Sequence, residues 1–144
     1  MDFQKMVDYR NTHNPYAQRL GIFVEEIGPG CARVTKAITP EDLNPLNFAH
    51  GGVYFSMADT ACGSAMASHG HMAVTVNASY NYFRSAVPGD TLTAVATEVK
   101  SGKTICVYDV RITDQNGTLL GTGTFSFYQM EQKINTGAHI VKKS

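Results

Sequence analysis

The sequence is short of cysteine, of net charge and of long apolar runs, and each shortage excludes something. Three cysteines, Cys31, Cys62 and Cys106, are spread over 144 residues. Their number is odd and no two are close, which excludes a disulfide framework or a clustered structural zinc site. A reducing compartment fits better. Twelve basic residues balance twelve acidic ones, so there is no footprint for a polyanion such as nucleic acid. No stretch approaches the roughly 18 apolar residues that a spanning helix needs. The segment MDFQKMVDYRN has neither an apolar run nor the cleavage-site pattern of a signal peptide. These absences give the expectation of a soluble, cytoplasmic protein that meets neither membrane nor nucleic acid.

Hydrophobic content is 43% and charged content 17%, the balance of a globular chain. The length fits one domain over 1–144 with a core at about 14–128. Phe3, Met6, Val7 and Arg10 share one side of a short N-terminal amphipathic helix. Asn14-Pro15 opens another helical turn, Asn14 as cap and Pro15 at the first position. From Gly21 the period changes. Ile22–Ile27 and Cys31–Ile38 read as a hairpin around Gly28-Pro29-Gly30. Residues 39–50 are a loop with one helical turn at Thr39–Asp42. Gly51–Ser68 is the one long helix, apolar on all sides and hence buried. Strands follow over 72–87, 91–101, 104–114 and 118–128, separated by Gly-containing turns. The tail 130–144 has no pattern and is expected to be loose. The fold class is α+β, an antiparallel sheet wrapped around one long central helix whose small side chains let strands come close. One small sheet leaves open edges, so two chains are expected to pair edge to edge.

Asp59 breaks the pattern. It stands in the middle of the apolar helix, where Asp is a poor residue and a buried carboxylate is costly unless paired. No Lys or Arg occurs in residues 37–83. Such local conflicts collect at functional sites; the structural alternative is an interface or a backbone hydrogen bond. His50-Gly51-Gly52 opens the same helix. Two glycines permit close approach of a ligand, and the unpartnered first N–H groups suit a carbonyl oxygen becoming an oxyanion. Gly51 and Asp59 are about 12 Å apart along the axis. One chain does not place both on one small carbonyl; two chains about a two-fold axis can.

The motif Asn44-Pro45, His50-Gly51-Gly52 and Ala58-Asp59-Thr60-Ala61-Cys62-Gly63-Ser64-Ala65 resembles the hotdog-fold acyl-CoA thioesterases of the phenylacetic-acid-degradation type. Both spacings of that family's Asn, His-Gly-Gly and acidic residue are kept. The resemblance continues through Asn14-Pro15-Tyr16, Thr75-Val76-Asn77, Tyr82–Ala86 and Pro88-Gly89-Asp90, over roughly residues 14–128. It implies a hotdog fold, hydrolysis of an acyl-CoA, no metal and no cofactor beyond the CoA of the substrate. It implies a homodimer, and a homotetramer as a dimer of dimers. By resemblance, the Gly51 N–H polarises the thioester carbonyl and Asn44 places thioester or water. Asp59 is general base or nucleophile, Thr75 helps hold the water, and His50 lines the site or caps the helix. Tyr82, Phe83, Arg84 and Ser85, with Lys100 and Lys103, correspond to the stretch that meets CoA. Many relatives have Gly-Thr where this chain has Asn47-Phe48, so the acyl group is not carried over. Phe48, Tyr54 and Met57 are candidates for the acyl pocket.

Smaller signals have plain readings. Cys62, three residues after Asp59, is a thiol nucleophile in one reading and a small buried hydrophobe in the better one. His69 and His71 lack a third ligand and read as exposed loop residues. The rival functions are a hotdog hydratase or dehydratase and a non-catalytic acyl-CoA-binding regulatory module. His-Gly-Gly argues against the former and a buried Asp59 against the latter.

Overall fold

Period-two alternation decides the architecture. In β2 (Cys31–Ala37), Ala32, Val34 and Lys36 are buried between more exposed neighbours. Leu92, Ala94 and Ala96 repeat this in β4 (Thr91–Ser101), and Cys106, Tyr108, Val110 and Ile112 in β5 (Ile105–Thr113). Each strand therefore has one buried side, and these sides share one face of a sheet. A computed structural model describes residues 1–134. With β1 (Phe23–Gly28), β3 (His71–Tyr82) and β6 (Leu119–Lys133), the antiparallel sheet has the order β1-β2-β4-β5-β6-β3. The central helix α3 (Gly51–Ala67) lies against its buried face, with Met57, Ala58, Ala61, Cys62 and Ala65 fully enclosed. This is the α+β hotdog arrangement that the sequence led us to expect.

Two boundaries differ from expectation. The strand expected over 72–87 ends at Tyr82, where Phe83 and Arg84 turn their N–H groups to the Leu120 carbonyl. β6 runs beyond 128 to Lys133, because its last residues pair with the start of β3, Lys133 opposite His71. The remainder of the tail expected to be loose, residues 135–144, lies outside the described residues.

The N-terminal helices dock on the first hairpin. Asp2 caps α1 (Phe3–Thr12) and Asn14 caps α2 (Pro15–Leu20), each through a backbone N–H of the first turn. Asn11 of α1 brackets Val24 of β1, donating to its carbonyl and accepting from its N–H, both at 2.8 Å. The loop before α3 is pinned by a buried ion pair. Lys36 Nζ lies 3.0 Å from Asp42 Oδ2 and also donates to the Leu20 carbonyl. Asp42 in turn accepts from Thr39 N–H, and its carbonyl accepts from His50 N–H. Removing one partner of such a pair typically costs about 3–5 kcal/mol, so the approach to Gly51 is firmly set.

A bulge in β3 positions the site. Its register against β6 shifts between Thr75 and Asn77, which inserts Val76 as an extra residue. Alternation therefore changes phase. Ala73 and Thr75 face the helix before the bulge, Ala78, Tyr80 and Tyr82 after it. Gly121 of β6 makes room for this second set, since a Cβ there would stand 2.3 Å from the Tyr80 hydroxyl. β3 is an edge strand, and its Val74 and Val76 are about half exposed.

Candidate active site

Asp59 stands in the third turn of α3, half-buried, on the side that faces β3. Its Oδ1 accepts a 2.7 Å hydrogen bond from Thr75 Oγ1. The bulge delivers that hydroxyl, so Thr75 is more than a strand residue. At the other end of the same helix–strand contact, Tyr82 Oη donates to the Gly51 carbonyl at 2.8 Å. Helix and edge strand are thus joined at both ends by side-chain hydrogen bonds.

The start of α3 is built as a donor site. His50 caps it, its Nδ1 accepting from the Gly52 N–H at 2.8 Å. Among the described residues nothing accepts from the Gly51 N–H, which leaves it free for a ligand. Asn44 organises the preceding loop: its Oδ1 accepts from the N–H groups of Leu46 and Phe48 at 2.9 and 3.1 Å. Asn47 sits there at φ 65°, a left-handed conformation that Asn tolerates and glycine adopts freely.

Two cavities result. One, of about 260 Å³, gathers Asn44, Gly51, Tyr54 and the segment Tyr82–Ser85. The other, of about 300 Å³, holds Asp59, Thr75 and, unexpectedly, Arg10. One chain therefore brings Asn44 and Gly51 together, and Asp59 and Thr75 together, without joining the pairs. Lys100 and Lys103, both exposed, join neither cavity. Ser101, Cys106, Phe127 and Thr75 form one row across four strands, whereas Tyr82 aligns with Gly121 and Ile112. The two lysines thus belong to the Asp59 end of the sheet and Arg84 to the Gly51 end.

Other expectations are corrected here. Met57 is fully buried in the core, so it shapes no open pocket; Phe48 is exposed and stays a candidate for a pocket completed by a second chain. Tyr54 does reach the Gly51 cavity, while its hydroxyl accepts from Ala86 N–H at 2.7 Å. Cys62 is wholly enclosed; burial, then the charges of Asp59 and Asp109, push its thiol far above the usual range. That environment suits packing and not nucleophilic attack. His69 and His71 are half-buried and engaged, His69 with Glu98 and His71 with the Met130 carbonyl. Among the described residues no cluster of metal-binding side chains occurs.

Sequence reasoning missed Arg10 as part of the site. The signal was present: a cation at i+7 on the apolar face of α1, following Phe3, Met6 and Val7. In the structure its Nε donates to Ser64 Oγ at 2.9 Å, on the helix that carries Asp59.

Comparison with known proteins shows the family and the fold. The thioesterase superfamily model matches residues 46–120. The acyl-coenzyme A thioesterase PaaI of Escherichia coli is 38% identical over 112 residues, covering 74% of this chain and 80% of that protein. A putative esterase of Archaeoglobus fulgidus is 29% identical over 129 residues, covering 90% of this chain and 84% of its own. The solved E. coli PaaI protein superposes with a TM-score of 0.85 at 31% identity, covering 92% of this chain and 98% of the other. A hypothetical thioesterase from Streptococcus pneumoniae, solved with coenzyme A, superposes at 0.75 with 33% identity, covering 78% and 88%. That protein has also been solved with an aspartate and, separately, a threonine replaced by alanine; the two stand as far apart in sequence as Asp59 and Thr75. With its fold and its matched segment in agreement, the chain belongs to the thioesterase superfamily and is a thioester hydrolase.

Proposed function

We propose that the protein hydrolyses an acyl-CoA to a free carboxylic acid and CoA, in a site shared by two chains. The observation that carries this reading is the Thr75–Asp59 hydrogen bond beside a cavity, with the free Gly51 N–H at the opposite end of the same helix–strand contact. Pairing of two β3 edges antiparallel about a two-fold axis would bring the Asp59 end of one chain to the Gly51 end of the other. The same operation would bring Lys100 and Lys103 of one chain to the end that carries Arg84 of its partner, giving the CoA phosphates three cations. The unpaired edge of β3 supports such pairing. A homotetramer as a dimer of dimers and a cytoplasmic location complete the proposal; free Cys31, Cys62 and Cys106 suit a reducing compartment.

In the proposed reaction, water attacks the thioester carbon while Asp59 takes its proton. The Gly51 N–H receives the developing oxyanion, with Asn44 placing the thioester or the water. Collapse expels the thiolate, which takes the proton that Asp59 removed from water. General-base and oxyanion contributions are typically worth factors of about 10²–10⁴ and 10²–10³. Direct attack by Asp59, through a transient anhydride, gives the same products; oxygen-isotope incorporation in a single turnover distinguishes the two. His50 holds the helix start, and Tyr82, Phe83 and Ser85 line the CoA approach.

The test is thiol release from a panel of acyl-CoAs by wild type, Asp59→Asn and Asp59→Ala. Release that falls at least about 100-fold in both variants is expected. Enoyl-CoA hydration without thiol release, or tight acyl-CoA binding with neither reaction, sinks the proposal. Mixing Asp59→Asn chains with Asn44→Ala chains tests the sharing. Mixed dimers retain one intact site and should regain part of the activity that each parent lacks.

A further inference from the structure

The geometry points to Arg10 as the residue that selects the acyl group, favouring acyl chains with an oxygen acceptor at their far end over plain alkyl chains. This rests on the hydrolase reading above and adds to it the chemistry of the substrate. Arg10 reaches from α1 over the face of α3 that holds Asp59. Its Nε is fixed by Ser64 Oγ, and Ser64 is itself buried and locked to the Thr60 carbonyl at 2.7 Å. A terminal nitrogen lies over Gly63, 3.5 Å from where a Cβ would stand. Among the described residues Arg10 makes no ion pair and no other hydrogen bond. Four of its five N–H donors therefore have no partner among the described residues, and Arg10 lines the Asp59 cavity.

A cation held this way has to be satisfied by something. Burial draws the guanidinium downward and the charge of Asp59 draws it back up; it remains cationic. Asp59 is the carboxylate whose charge it feels, yet the two do not pair, and Asp59 is held instead by Thr75. An alkyl chain filling the cavity would strip water from those donors and return nothing. A carboxylate or carbonyl oxygen would accept from them, the carboxylate in the bidentate manner that Arg favours. Asn14, the cap of α2, lines the same cavity and adds to its polar wall.

The test compares glutaryl-CoA, 5-oxohexanoyl-CoA and hexanoyl-CoA, three acyl chains of similar length with anionic, neutral-oxygen and alkyl ends. For wild type, kcat/KM on at least one oxygenated substrate should exceed that on hexanoyl-CoA by about 10–100-fold. In Arg10→Met that preference should shrink to within about 3-fold; Arg10→Lys should restore part of it. Equal or better use of hexanoyl-CoA by wild type overturns the inference. So does an equal loss on all three substrates with a shifted acid limb of the pH profile, which would mean that Arg10 serves Asp59 alone. Calorimetric binding of the same thioesters to Asp59→Asn and to Asp59→Asn with Arg10→Met reads selectivity without turnover. If wild type hydrolyses nothing but binding still shows an Arg10-dependent preference, the hydrolase reading falls and this one stands. Binding without preference, or no binding, overturns this one. Thermal unfolding of each variant separates loss of selectivity from loss of fold.

Discussion

Thr75 Oγ1 donates to Asp59 Oδ1 at 2.7 Å across the gap between the edge strand and the central helix. The donor fixes the carboxylate's rotamer, while Oδ2 has no partner among the described residues. Thr75→Val keeps the shape and the strand preference but deletes the donor. Turnover should fall by about 10-fold or more, the scale of one charge-assisted hydrogen bond. Because Thr75 is exposed in the chain, the melting midpoint should move by no more than about 2 °C. Thiol release and thermal unfolding, measured together, check this; a lower midpoint with unchanged turnover would assign Thr75 to the fold alone.

His50 separates capping from chemistry. Its ring accepts from the Gly52 N–H, a task that Asn performs well. His50→Asn should keep turnover near that of wild type, while His50→Ala should cost about 0.5–2 kcal/mol of stability. Urea unfolding and kcat for both variants decide the matter. Loss of turnover in a stable Asn variant would give the imidazole a chemical part.

Much of this arrangement is legible in the sequence, for reasons that can be named. The apolar helix with one acidic residue announces both the core and the site, because burial of a carboxylate has to be explained. The strands are legible where one side is buried, as in Leu92, Ala94 and Ala96. The bulge at Val76 is not, because one inserted residue changes the phase without changing composition. Arg10 was visible as a cation on an apolar face, but its meaning depends on Ser64, 54 residues away. The separation of Arg84 from Lys100 and Lys103 follows from strand order, which hydrophobic alternation does not encode.

Glu98 should carry a pH signature. Burial raises its carboxyl, but hydrogen bonds from His69 and Tyr108, with the charge of His69, outweigh burial and hold it below the usual range. A carboxyl lowered on folding stabilises the fold fully above its unfolded value, about 4.3. That stability is lost as pH falls through the lowered folded value. Unfolding free energies of wild type and Glu98→Gln should therefore differ near neutrality and converge as the pH drops below about 4. A gap that stays constant would contradict this account.

Cysteine labelling offers a direct check on the packing of α3. Cys31 is exposed, whereas Cys62 and Cys106 are wholly buried, and burial holds the Cys62 thiol protonated. Brief iodoacetamide treatment of the folded protein should label Cys31 alone, with the other two labelled only after denaturation. Mass spectrometry of the peptides reads the result. Rapid labelling of Cys62 in the native state would reopen its candidacy as a nucleophile.

The unpaired edge of β3 makes catalytic competence a matter of abundance. On the paired-chain reading, a solitary copy folds, keeps its two half-sites and turns over nothing. Specific activity should then fall on serial dilution, steeply once copies become scarcer than the dissociation constant of the pair, and a cell making few copies would hold a silent pool.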